Sequence, residues 1–101
     1  MLTAIILAIT AFAVIGLATV AILNWNFIVN WFRERSTIKH SDKDNIAFTI
    51  QEKIKNQEFK TVQGIFNTRT NEVVDAQEIN SKSVDEKIEK LHRDNELVIY
   101  E

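Results

Sequence analysis

Apolar and polar positions fall into two contrasting regimes along this chain. Leu2 to Leu23 are 22 consecutive uncharged, mostly apolar residues; Asn24-Trp25-Asn26-Phe27-Ile28-Val29-Asn30-Trp31-Phe32 and then Arg33-Glu34-Arg35 follow. A bilayer core of about 30 Å needs roughly 20 helical residues, and in hydrocarbon the backbone must satisfy its own hydrogen bonds. The run therefore predicts one membrane-spanning helix with an interfacial end, residues 1–32, whose helical turn can continue to about residue 34. A cleaved signal peptide fits less well, because no Lys or Arg precedes the run and the run is too long. Trp25 and Trp31 fit an aromatic belt at the headgroup layer, and Arg33 and Arg35 fit the wet side of it. With Lys39 and Lys43 also following the run, the positive-inside rule places the N-terminus outside. The C-terminal part then lies on the cytoplasmic side, or the stromal or matrix side of an organelle. Ala4, Ala8, Ala11 and Ala18 form a small-residue stripe on that helix, suited to close packing against another membrane helix.

Beyond the run the pattern becomes that of a small folded unit. Residues 33–45 read as a juxtamembrane linker and 46–101 as a compact domain. Ile46, Phe48 and Ile50 alternate as in a strand, while Ile46, Ala47, Ile50 and Ile54 fit a helical stripe equally well. The starter Ser41-Asp42-Lys43-Asp44 and the helix formers Gln51 to Lys55 favour a helix over about 42–56, capped by Asn56. Phe59 to Phe66 and Glu72 to Ile79 predict a β-hairpin around the turn residues Asn67 to Asn71, with Gly64 marking a bulge or a close backbone approach. Ser83-Val84-Asp85-Glu86 has the capping-box form ahead of a helix carrying Ile88 and Leu91. Leu97 to Tyr100 close as a short strand. The predicted fold class is a single-pass membrane anchor followed by a small α+β domain. Its order is helix, strand, strand, helix, strand, with a short antiparallel sheet and helices on one face.

Composition sharpens this division. The chain of 101 residues carries 12 basic and 14 acidic side chains, and Arg33 is the first of them. A net charge of −2 points to neither nucleic acid nor a strongly acidic partner. With no cysteine there is no disulfide framework, thiol nucleophile or thiolate metal site. His40 lies in the polar linker, and His92 sits at a helix C-terminus, where an imidazolium suits the dipole. Asp42-Lys43-Asp44-Asn45 opens like a calcium loop but lacks its glycine and terminal glutamate. No phosphate loop, dinucleotide fingerprint or hydrolase motif is present. No catalytic, cofactor-binding or metal-ligating residue is assigned, and no cofactor or small-molecule substrate is evident.

The expected partners are the lipid bilayer and larger membrane subunits. The expected role is a non-catalytic accessory subunit of a photosynthetic, respiratory or transport complex, aiding its assembly or stability. A second expectation is a membrane-anchored binding or regulatory module that recruits a soluble protein by strand addition at its hairpin or a free sheet edge. A third is a holin-like or toxin-like small membrane protein.

Overall fold

A computed structural model describes residues 1–12, 15–54 and 58–100. Among these residues four helices and five strands follow one another as α1 (Leu2–Ala11), β1 (Gly16–Leu23), α2 (Trp25–Glu34), α3 (Ser36–His40), β2 (Asn45–Lys53), β3 (Phe59–Asn67), β4 (Glu72–Val84), α4 (Glu86–His92) and β5 (Leu97–Tyr100). The strands form one mixed sheet in the order β1-β4-β3-β2-β5. β1 runs parallel to β4, and the other neighbours are antiparallel.

No helix among the described residues is long and apolar enough to cross a membrane. This overturns the single-pass anchor and the orientation built on it. The apolar run is divided among three elements, and its own residues show why. Leu2, Ile5, Ala8, Ile9 and Phe12 follow helical spacing and pack on the sheet. Gly16 to Leu23 carries the β-branched Thr19, Val20 and Ile22 and pairs with β4 from Gly16↔Gln77 to Leu23↔Val84. Asn24 then starts a separate helix, its Oδ1 accepting from the Phe27 amide at 2.9 Å. The radius of gyration, 12.9 Å, matches the roughly 13 Å of one domain of this length, so the apolar third is folded in rather than projecting.

The helix expected over 42–56 is a strand from Asn45 to Lys53; Asn56 lies outside the described residues. Long-range pairing outweighs local propensity here. β2 matches β3 residue for residue from Asn45↔Asn67 to Lys53↔Phe59, and β5 covers its other side. The hairpin of β3 and β4 is present, joined by four residues. Asn67 Oδ1 accepts from the amides of Arg69 and Thr70 at 3.0 Å each, and Asn71 takes the left-handed φ of 58°. The Asp42–Asp44 corner receives Arg69, with nitrogen–oxygen distances of 2.6 and 3.3 Å. The Asp44 amide first, and then that guanidinium, hold the Asp42 carboxyl below its usual range.

Helices cover both faces of the sheet, not one. On one face α1 lies over Phe48, Ile50, Val62, Phe66 and Ala76, with Ile5 and Ala8 buried between. On the other, α2 and α4 pack with Leu23 and Ile79 through Ile28 and Ile88. β2 and β3 alternate apolar and polar, a pattern that suits a sheet wet on one side. Here the polar side is buried. Thr49, Thr61 and Gln63 are essentially inaccessible and pair internally. Gln51 Nε2 donates to Thr61 Oγ1 at 3.0 Å, Gln77 Nε2 to Gln63 Oε1 at 2.8 Å, and Gln63 Nε2 to the Ile28 carbonyl at 3.2 Å. These bonds seat α2 on the sheet and satisfy groups that would otherwise destabilise the interior.

Candidate functional site

α2 and α3 together roof a cavity over the β2–β5 end of the sheet. Its volume is about 400 Å³, within the ~300–1,000 Å³ range typical of small-molecule sites. Trp25, Ile28, Val29 and Phe32 of α2 supply an apolar wall. Ala47 of β2 is small enough to leave the space open, and Tyr100 of β5 closes the far side. The Tyr100 ring is held between Trp25 and Phe32, with centroid separations of 5.7 and 5.9 Å.

The rim has a different chemistry. Arg33, Ser36, Lys39 and His40 line it, and among the described residues no carboxylate does. Among the described residues neither Arg33 nor Lys39 has an ion-pair partner within 4.0 Å. Cationic charge is thus concentrated beside an apolar recess in a chain whose net charge is negative.

A hydrogen-bonded chain supports the far wall. Tyr100 Oη lies 2.7 Å from Thr49 Oγ1, which lies 2.8 Å from His92 Nε2, and His92 Nδ1 lies 2.9 Å from the Asn95 carbonyl. A carbonyl only accepts, so the neutral ring carries its proton on Nδ1 and Nε2 accepts from Thr49. Thr49 in turn accepts from the Tyr100 hydroxyl. Burial holds the His92 imidazole below its ordinary value, and hydrogen bonds to the backbone at Asn95 and Glu96 oppose this in part. Burial likewise pushes the Tyr100 phenol up.

Both shifts have a stability consequence. The His92 contribution is fully present above the unfolded value of about 6.5 and is lost as pH falls through the lower folded value. The Tyr100 contribution is present below about pH 10 and is lost as pH rises through that range. Urea midpoints measured from pH 5 to 8 should therefore fall on the acid side, and His92→Gln should flatten that slope. An unchanged slope in the variant would remove His92 from the account.

Four residues expected at a headgroup layer have specific places in the fold. Trp25 and Arg33 line the cavity. Trp31 is buried, and Arg35 stacks on its ring at 4.0 Å while its Nε donates to Asp75 Oδ2 at 2.7 Å, tying α2 to β4. The alanine stripe is divided. Ala4 and Ala8 face the core from α1, Ala11 is exposed, and Ala18 lies on β1 against the second core cluster. Tyr100, Thr49 and Ala47 were not singled out from the sequence, since nothing local links a C-terminal strand to residues fifty positions earlier. Metal-binding groupings of His and carboxylate side chains are absent among the described residues. Comparison with known protein families, curated proteins and solved structures finds no match.

Proposed function

We propose that this protein is a non-catalytic binding protein for a small amphipathic anion, an aryl or medium-chain alkyl monocarboxylate. The accessory-subunit expectation drew on a membrane-spanning helix, and no helix among the described residues is long and apolar enough to cross a membrane. The observation that carries the present reading is the pairing of an apolar recess with a rim bearing Arg33 and Lys39, which have no ion-pair partner among the described residues. An apolar body enters against Trp25, Ile28 and Phe32 and gains by leaving water. Its carboxylate stays at the mouth, where Arg33 and Lys39 supply charge-assisted hydrogen bonds. A cation of the same shape would gain the first term and be repelled by the second.

The probe is 8-anilinonaphthalene-1-sulfonate, an aryl anion whose fluorescence rises in apolar sites. Titrated into the full chain it should bind saturably, and decanoate should displace it while decyltrimethylammonium does not. Arg33→Glu and Lys39→Glu should each weaken binding about tenfold or more, since a hydrogen bond between charged groups contributes roughly 1.5–3 kcal/mol. Val29→Trp fills the recess and should remove binding without lowering the melting temperature. Lys82→Glu, on the exposed part of β4, should change nothing. Equal displacement by the cation, or full binding in Val29→Trp, would contradict the proposal.

A further inference from the structure

The cavity does not use the edge of the sheet at β1, and that edge is unusual. β1 is an outer strand, paired with β4 on one side and, among the described residues, with no strand on the other. Edges are ordinarily shielded by lysine, proline, a bulge or shortness. Gly16-Leu17-Ala18-Thr19-Val20-Ala21-Ile22-Leu23 has no charge and no proline over eight residues. The register shift of this sheet lies elsewhere, at Ile65/Phe66 of the β3–β4 pair. The other edge, β5, is four residues long and directly follows Glu96.

The side chains of β1 are as unprotected as its backbone. Leu17 is 66 % exposed and Ile22 61 %. Leu17 is paired with Glu78 and Ile22 with Ser83, so the two point to opposite faces of the sheet. Both faces of the edge therefore present apolar surface next to an open row of backbone donors and acceptors. α1 packs across β4, the adjacent strand, and adds the exposed Leu7.

We infer that β1 pairs antiparallel with β1 of a second copy of this chain, joining the two sheets into one of ten strands about a two-fold axis. The neutrality of the strand selects this occupant. A two-fold axis sets a strand against itself, so any charged residue near its centre would face its own copy, and β1 has none. Conversely, a strand without charge offers nothing by which a charged foreign segment is selected. Antiparallel pairing satisfies both edges in one closed contact, and Leu17 and Ile22 of each copy gain cross-strand neighbours.

The test is oligomeric state by light scattering and sedimentation, over a micromolar-to-millimolar series of the full chain. The wild type should be a dimer that dissociates on dilution. Thr19 is exposed near the middle of β1, so Thr19→Lys should place like charges together across the axis. Its dissociation constant should rise about a hundredfold or more, with the melting profile of the monomer retained. Thr19→Glu should do the same, and an equimolar mixture of the two variants should restore the dimer. A wild type that stays monomeric, assemblies larger than a dimer, a Thr19→Lys variant that still dimerises, or a mixture that stays monomeric would each overturn the inference. Anion binding in the cavity is read separately from all of these.

Discussion

Replacing Gly64 with valine should leave no cooperatively folded protein. Gly64 lies in β3 between Phe48 of β2 and Ala76 of β4, on the face covered by α1. A Cβ added there would sit 2.8 Å from Phe48 Cζ, 2.9 Å from Phe48 Cε1 and 2.9 Å from the Asp75 carbonyl oxygen. The ring is fully buried and the carbonyl is backbone of a paired strand, so neither yields easily. Overpacking a core costs typically about 1–3 kcal/mol, and more where backbone must move. A domain of this length has only about 5–15 kcal/mol in all, by the usual ~0.05–0.15 per residue. Gly64→Ala should lower the chemical-denaturation midpoint strongly, and Gly64→Val should abolish the transition. A near-native midpoint for Gly64→Ala would mean that Phe48 does not lie over this position.

Asp85→Ala should cost about 2–4 kcal/mol, far more than an ordinary helix cap. The carboxylate serves two helices at once. Its Oδ1 accepts from the Ile88 amide at 3.0 Å as the N-cap of α4, and its Oδ2 accepts from the Trp25 amide at 2.6 Å at the start of α2. The Asp85 amide donates to the Leu23 carbonyl at 2.9 Å. Loss of a cap alone costs roughly 0.5–2 kcal/mol, and loss of a hydrogen bond to a charged group roughly 1.5–3 kcal/mol. The variant also frees the end of α2 that carries Trp25 into the cavity, so binding of the anionic probe should weaken with stability. Urea denaturation of Asp85→Ala beside Ser83→Ala decides it. A loss near 1 kcal/mol for Asp85 would reduce it to a single cap and remove its bond to the Trp25 amide from the account.

Local chemistry made some of this fold legible. The β3–β4 hairpin follows from β-forming runs around Asn67 to Asn71, and Asn67 and Asn71 perform the turn roles their side chains suit. Gly64 reads as a place of close approach, and the register shift sits beside it at Ile65/Phe66. The capping-box reading of Ser83 was displaced by two positions because β4 continues to Val84 alongside β1, leaving Asp85 to cap. β2 was misread because its helix formers are overruled by partners that lie beyond the local window. The apolar N-terminal run was misread for a different reason. Hydropathy registers removal from water without distinguishing a bilayer from the two faces of a sheet. The dividing signals, Gly16 with its β-branched neighbours and the capping Asn24, are weaker than the length of the run. Trp25 and Arg33 illustrate the same ambiguity at the site, since aromatic and cationic groups together suit a headgroup layer or an amphipathic anion equally well. The buried polar layer was not legible at all, because alternation alone does not say what covers a sheet.

The central claim is that the uncharged N-terminal residues belong to the domain as a helix and a strand. The ¹³Cα secondary chemical shifts of the full chain in aqueous buffer test it most directly. The account predicts helical, positive shifts over Leu2–Ala11, negative strand shifts over Gly16–Leu23, and positive shifts again from Trp25. Unbroken positive shifts from Leu2 through Phe32 would contradict it.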